Sequence, residues 1–193
     1  MNRQFHRRNL PHLHSDDGIY FVTFRLANTI PHAMLDKIKC NKPDWNFEEY
    51  KKAFLKYDSL LNNNEAGVSY LSQKEISDTC KMTLHYPDGK DYKLICYCIM
   101  PNHIHFVFEL LPGNKGLSKI MQSVKGISSR ECNLILQRDG KFWQDESYDR
   151  LLRNEVELYF VIKYVLINPV ESGLVNNWQG WEYTYCHKDY VVL

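Results

Sequence analysis

Residues 97–108 read YCIMPNHIHFVF, and this stretch predicts both a strand and a chemical site. Successive side chains of a strand point to opposite faces. His103 and His105 therefore project together, while Ile104 and Phe106 face the other way. Two imidazoles side by side on a rigid strand provide half of a metal site. A metal ion held there needs further ligands from another part of the chain.

The composition is that of an ordinary globular protein. The chain has 193 residues, of which 44% are hydrophobic and 24% are charged. This length suits one domain with a sizeable core. With 24 Lys and Arg against 23 Asp and Glu, the net charge is only +1. A nucleic-acid partner would therefore have to be bound by locally concentrated basic residues.

The cysteines and the first residues favour a cytoplasmic location. The six cysteines include no CxxC pair, which argues against a zinc ribbon. Residues 1–10 are polar and basic, unlike a signal peptide, and the apolar stretches are too short to span a bilayer. We therefore expect a reduced cytoplasmic protein with no membrane partner.

The order of predicted elements indicates an α+β fold. Hydrophobic patterns predict strands at residues 18–26, 92–99 and 103–110, and helices at residues 48–61, 72–84, 117–137 and 154–167. Ser72 is expected to cap the second helix, Asn154 to cap the last one and Pro169 to end it. This order favours an antiparallel sheet with helices packed on one face. We expect a single domain over residues 1–193, with a helical insertion at about 31–85.

The last predicted helix carries a second informative segment, KYVLINPVESGLV at residues 163–175. Tyr164 and Asn168 are four residues apart and share a helix face. A tyrosine phenol can act as a nucleophile, and an asparagine amide oxygen can be a ligand of Mg²⁺ or Mn²⁺. Together with His103 and His105, Asn168 could hold a divalent ion that polarises a phosphodiester, which Tyr164 would attack.

Each of these patterns also has a structural interpretation. A His-x-His pair is common on strands, and a tyrosine on a helix usually packs in the core. An Asn-Pro pair is a usual helix terminator. Only the joint occurrence of the two segments favours a site.

Both segments resemble motifs of one protein family. The run MPNHIHFV, residues 100–107, resembles the HUH motif (histidine, hydrophobic, histidine) of single-tyrosine transposases. The run YVLINPVESGLV, residues 164–175, is similar to the YxxxNPxxxGLV motif of REP-associated tyrosine transposases, an IS200-like family. Further similarity, in the same order, lies at residues 20–31, 117–133 and 140–154, so the resemblance covers most of the chain except much of residues 40–75.

The resemblance implies a ferredoxin-like, HUH-type palm that acts on single-stranded DNA, often beside imperfect hairpins. It implies that Tyr164 attacks a scissile phosphate, forms a 5′-phosphotyrosine bond and releases a 3′-hydroxyl. It further implies that His103, His105 and Asn168 hold Mg²⁺ or Mn²⁺. No base for Tyr164 is evident from the sequence, although a phenol has a pKa of about 10.

The chain departs from the family pattern in two places. Phe21 stands where the family often has a histidine in its first strand. The C-terminal segment, WQGWEYTYCHKDY at residues 178–190, differs from the usual Trp- and Ser-rich sequence. Both departures concern DNA contacts rather than the metal or the nucleophile.

Several basic residues are candidates for binding DNA phosphates. They lie on the first predicted strand, on the helix after the histidines and before the tyrosine helix: Arg25, Lys119, Lys125, Arg130 and Arg150. Each could equally be a solvated surface residue. The sequence leaves open whether the protein is a monomer or a homodimer.

Two other functions fit the same residues. A domesticated relative could bind hairpin DNA without cutting it, and would need the basic surface but not the metal. A small metal hydrolase could activate water and form no covalent intermediate. The leading prediction remains a metal-dependent tyrosine transposase that cleaves and rejoins single-stranded DNA.

Overall fold

A computed structural model describes residues 4–7, 11–14, 17–30, 46–62 and 67–191. Part of the predicted insertion at about 31–85, namely residues 31–45 and 63–66, lies outside the described residues.

The centre of the fold is a five-stranded antiparallel sheet. Its strands are β3 (Gly18–Arg25), β4 (Tyr92–Ile99), β5 (His103–Leu110), β6 (Tyr148–Leu152) and β7 (Thr184–Cys186), in the order β6-β3-β5-β4-β7. Strands β1 (Gln4–Arg7) and β2 (Pro11–His14) form a separate antiparallel pair. The α+β class and the antiparallel sheet are therefore confirmed.

Four α-helices accompany the sheet within the described ranges. They are α1 (Phe47–Asn62), α2 (Lys74–His85), α3 (Leu117–Ile135) and α4 (Glu155–Glu171). Short 3₁₀ turns span Tyr70–Ser72, Trp178–Gly180 and Lys188–Tyr190. None of the described helices is both long enough and apolar enough to cross a membrane.

The helices cover both faces of the sheet, so the prediction of one covered face is wrong. Tyr20 and Phe106 belong to a core that also contains Ile76 of α2 and Ile120 of α3. The opposite core joins strand residues such as Phe21, Ile95 and Val107 to Phe54 of α1 and Val165 of α4. Both faces of the central strands are apolar, and burial of each face stabilises the fold.

Two helix ends differ from the sequence prediction. Helix α2 begins at Lys74, and Ser72 belongs to the preceding 3₁₀ turn instead of capping the helix. Helix α4 continues through Pro169 to Glu171. Pro169 has no N–H to donate to the helix ladder, but beyond it the N–H of Ser172 bonds the Asn168 carbonyl at 2.9 Å. Asn168 therefore lies inside the helix, one regular turn beyond Tyr164.

The start of α4 agrees with the sequence. The Asn154 side-chain oxygen accepts the backbone N–H of Glu157 at 2.9 Å, as expected of an N-cap. This cap sets the beginning of the helix that carries Tyr164 and Asn168.

Candidate metal and nucleophile site

The histidine pair lies at the start of β5, in the interior of the protein. His103 pairs with Arg25 and His105 with Thr23 on the neighbouring strand β3. Neither histidine has any exposed surface. Their Nε2 atoms lie 3.0 Å apart, so the predicted convergence of the two side chains is present in the structure.

The outer nitrogen of each ring is held by a neighbouring side chain. His103 Nδ1 lies 2.6 Å from the Asn102 side-chain oxygen, while the Asn102 amide nitrogen donates to the Leu61 carbonyl. The oxygen can only accept, so the proton of a neutral His103 is on Nδ1. His105 Nδ1 lies 2.9 Å from Thr23 Oγ1. Such partners orient imidazoles and leave Nε2 free as a ligand atom.

A carboxylate that the sequence reasoning missed joins the two histidines. Asp58, on α1, is 3% exposed. Its Oδ1 atom lies 3.2 Å from His105 Nε2 and 3.5 Å from His103 Nε2. The possible ligand atoms of Asp58, His103 and His105 all lie within 4.8 Å of one another.

Tyr164 and Asn168 bring the other half of the site to the same carboxylate. The Tyr164 hydroxyl donates a hydrogen bond to Asp58 Oδ2. The Asn168 amide nitrogen lies 3.0 Å from the Tyr164 hydroxyl and 3.3 Å from Asp58 Oδ2. Tyr164 is 6% exposed and Asn168 1%. The four residues predicted to carry the chemistry therefore lie in one buried cluster of a single chain: His103, His105, Tyr164 and Asn168.

The protonation of the cluster follows from burial and from its mutual contacts. Burial, together with the adjacent His105, lowers the pKa of His103 to about 3, which keeps His103 neutral. Burial raises the pKa of Asp58, but the nearby His105 and His103 and the hydrogen bond from Tyr164 outweigh it, so the net pKa is well below its usual value. Burial, followed by the Asp58 charge, raises the pKa of Tyr164 far above its usual value. The phenol is therefore the donor and Asp58 the acceptor.

A divalent ion fits this set of donors. Imidazole nitrogens, carboxylate oxygens and amide oxygens are all common ligands of divalent metal ions in proteins. Octahedral ligands about 2.1 Å from an ion lie about 3.0 Å apart when they are neighbours, and the two Nε2 atoms have this separation. The Asn168 side-chain oxygen is buried without a hydrogen-bond partner among the described residues, so it is available as a further ligand.

Of the five predicted DNA-binding residues, three have intramolecular partners in or near the core. Arg25 is 3% exposed, donates to Thr29 Oγ1 at 3.0 Å and also hydrogen-bonds Tyr57. Lys125 donates to the Gln144 and Asp145 carbonyls and to Ser147 Oγ, at 2.6, 2.9 and 3.1 Å. Arg150 forms a buried two-bond ion pair with Glu157.

The remaining two lie on the surface of α3. Arg130 pairs with the adjacent Glu131 at 2.6 Å. Lys119 is exposed and lines a groove of about 880 Å³ between α3 and the segment of residues 141–149. DNA binding by all five residues stays a prediction.

The sequence did contain a signal for Asp58. Four apolar side chains recur at helical spacing along α1 and are all buried: Tyr50, Phe54, Tyr57 and Leu61. Asp58 directly follows Tyr57 and precedes Leu61 by three residues, which puts it on the same buried face. Burial of a carboxylate is unfavourable unless it is paired or binds a metal. An aspartate on the apolar face of a predicted helix is therefore a candidate site residue.

Comparison with known proteins identifies the family. The profile described as "Transposase IS200 like" matches residues 68–166, just over half of the chain. The chain belongs to the IS200-like transposase family, a class of DNA-processing enzymes. Within this class, the curated relatives are REP-associated tyrosine transposases. One of them, from Haemophilus influenzae, is 28% identical over 155 residues, covering 72% of this chain and 86% of the relative.

Two further similarities agree with this assignment. The REP-associated tyrosine transposase of Escherichia coli is 23% identical over 100 residues, which span 52% of this chain and 58% of that protein. The solved structure of a REP-associated tyrosine transposase bound to a REP hairpin has the same fold, with a TM-score of 0.56 and 16% identity, covering 93% of this chain and 80% of that one.

Proposed function

We propose that the protein is a metal-dependent transposase that cleaves and rejoins single-stranded DNA through a 5′-phosphotyrosine intermediate. One observation supports this proposal above all others: the Tyr164 hydroxyl, the Nε2 atoms of the two histidines and the Asn168 amide meet in one cluster of a single chain. A structural histidine pair would not need a tyrosine and two further metal-compatible oxygens beside it. Family membership supplies the chemical context.

In the proposed reaction, His103, His105, Asn168 and Asp58 hold Mg²⁺ or Mn²⁺. The ion would polarise the scissile phosphate and stabilise the charge that develops on it. Thr23 and Asn102 keep the two imidazoles turned toward the site. The Asn168 amide nitrogen holds the Tyr164 hydroxyl in place. Tyr164 Oη attacks phosphorus, the bond from phosphorus to the 3′-oxygen breaks, and the strand is released with a 3′-hydroxyl.

We extend the proposal to the substrate and the cellular setting. The structurally similar transposase is bound to a REP hairpin, so we propose single-stranded DNA beside a hairpin as the substrate. Lys119 on the exposed face of α3 is the best placed of the predicted phosphate contacts. We propose one cytoplasmic HUH-type domain over residues 1–193, with the helical insertion at about 31–85. A monomer would suffice, because one chain holds the tyrosine and both histidines.

The test is a covalent trapping assay. Protein is incubated with Mn²⁺ and hairpin-flanked single-stranded oligonucleotides, and adducts that survive denaturation are counted. Wild-type protein should form an adduct, whereas Tyr164→Phe and the double variant His103→Ala/His105→Ala should form none. Tyr159→Phe is a matched control, because Tyr159 is a half-exposed tyrosine on the same helix. An adduct that persists in Tyr164→Phe would refute the nucleophile.

The same assay separates the alternatives. A hairpin-binding protein without catalysis would bind the oligonucleotide with unchanged affinity after both histidines are replaced, and would form no adduct. A metal hydrolase would cut the DNA at a phosphodiester but leave no protein attached to the product.

A further inference from the structure

Helix α1 brings a carboxylate to the centre of a site whose other residues lie elsewhere in the chain. The family profile begins at residue 68, so Asp58 lies outside the matched segment. Asp58 is nevertheless 3% exposed, and its carboxylate contacts both histidines and the tyrosine. Asp58 belongs to the helical insertion at about 31–85, which lies between β3 and β4.

The position of Asp58 is set by the packing of α1. Phe54, one turn earlier on the helix, meets the Tyr164 ring edge-on at 5.0 Å and the His105 ring at 6.0 Å between centroids. Tyr57 stacks on Tyr148 at 5.3 Å. These aromatic contacts fix both the depth and the rotation of the helix, so Asp58 cannot swing out to solvent without unpacking them.

The two oxygens of Asp58 have different partners. Oδ1 faces the two histidine Nε2 atoms at 3.2 and 3.5 Å, without a properly directed hydrogen bond. Oδ2 accepts hydrogen bonds from the Tyr164 hydroxyl, from Asn62 Nδ2 at 2.9 Å and from Asn168 Nδ2 at 3.3 Å. One oxygen is therefore turned to the two histidines, and the other accepts the hydrogen bond of the Tyr164 hydroxyl.

A purely structural role accounts poorly for this arrangement. Burial of a carboxylate is unfavourable unless it is paired and hydrogen-bonded, and an apolar residue on the buried face of α1 would pack there at lower cost. Asn62 and Asn168 hold Asp58 Oδ2 beside the Tyr164 hydroxyl. Tyr164 is the side chain in the site that must lose a proton to attack phosphorus. The sequence offered no other base for that proton.

We propose that Asp58 is a catalytic residue that accepts the phenolic proton of Tyr164. This inference rests on the proposed function, because it presupposes that Tyr164 attacks a phosphate. In the step, the Tyr164 O–H bond breaks and its proton passes to Asp58 Oδ2. The Tyr164 oxygen forms a bond to phosphorus, and the bond from phosphorus to the 3′-oxygen breaks. The electron pair stays on the 3′-oxygen, which takes a proton from water, and Asp58 later returns its proton to solvent.

Single-turnover adduct formation tests the proposal, with the rate measured at saturating Mn²⁺ and DNA and the Mn²⁺ affinity measured separately by calorimetry. Asp58→Asn keeps the size of the side chain but cannot take the proton. It should slow adduct formation at least about 100-fold even at saturating Mn²⁺. Asp58→Ala should be equally slow and should be accelerated by formate, but not by chloride at the same ionic strength. Glu48→Gln is the matched control, since it makes the same chemical change at an exposed position of the same helix.

Three outcomes would overturn the proposal. If saturating Mn²⁺ restores the wild-type rate in Asp58→Asn, then Asp58 is only a metal ligand. If Asp58→Asn is as fast as the wild type at every Mn²⁺ concentration, Asp58 is structural. If Asp58→Ala is faster than the wild type, the carboxylate blocks the place of the phosphate instead of serving the tyrosine. Failure of the wild-type protein itself to form an adduct would refute the proposed function, and is thus distinguishable from all three.

Discussion

Thr23 Oγ1 lies 2.9 Å from His105 Nδ1, a buried contact between residues 82 positions apart in the chain. The contact exists because β3 and β5 pair with Thr23 directly opposite His105. The Thr23 hydroxyl holds Nδ1 of His105, so that Nε2 of the same ring faces Asp58 and His103. The pairing register of β3 with β5 therefore determines the orientation of His105 in the site.

Replacement of this hydroxyl should weaken metal binding without unfolding the protein. Thr23→Val keeps the shape of the side chain but removes the partner of His105 Nδ1. Loss of such an outer partner typically reduces metal affinity about 10- to 100-fold. Calorimetric titration with Mn²⁺ after treatment with a chelator measures the change. Thr83→Val makes the same substitution on α2, where the hydroxyl bonds the Cys80 carbonyl, and should leave Mn²⁺ affinity unchanged. Equal affinities for wild type and Thr23→Val would contradict the assignment.

Arg150 should prove more important for stability than for DNA binding. Its guanidinium makes bonds of 2.8 and 3.1 Å to Glu157 and lies 4.2 Å from the centroid of the Tyr50 ring. Removal of one partner of a buried ion pair costs about 3–5 kcal/mol, so Arg150→Met should lower the free energy of unfolding by that amount in a denaturant titration. In the double variant Arg150→Met/Glu157→Leu, the loss should be smaller than the sum of the two single losses. An Arg150→Met variant of unchanged stability but weakened DNA binding would favour a phosphate contact.

Lys119 and Lys125 lie on the same helix but should behave differently. Lys119→Ala should leave the free energy of unfolding within about 0.5 kcal/mol of the wild type. If Lys119 contacts a phosphate, the variant should also reduce the slope of log affinity against log salt by about 0.7 for single-stranded DNA. Lys125→Met should destabilise the fold, because its ammonium group joins α3 to the segment of residues 144–147 through three hydrogen bonds.

Denaturant titration and salt-dependent binding to a hairpin oligonucleotide separate these effects. Both variants remove one positive charge from α3, so each serves as the control for the other. An unchanged salt slope in Lys119→Ala would remove Lys119 from the set of predicted phosphate contacts.

The parts of the site that were predictable depend on local periodicity. Alternation along a strand places His103 and His105 on one face whatever surrounds them. Helical spacing does the same for Tyr164 and Asn168, and Asn168 lies within the helix because the helix continues through Pro169, where the sequence predicts its end. The sheet class followed from the order of the elements. The number of covered faces did not, because apolar residues on both faces of a strand need partners that only the packed fold identifies.

The sequence by itself determined that a histidine pair lies on a strand and that a tyrosine and an asparagine share a helix face, since both patterns are set by backbone geometry within a few residues. Only the tertiary structure decided that these two pairs meet, and that Asp58 meets them. Asp58 is 45 residues before His103 and 106 before Tyr164, and no local periodicity relates positions so far apart. Its place depends on α1 packing against β5 and α4, where burial of the aromatic face of the helix carries the carboxylate between the histidines and the tyrosine.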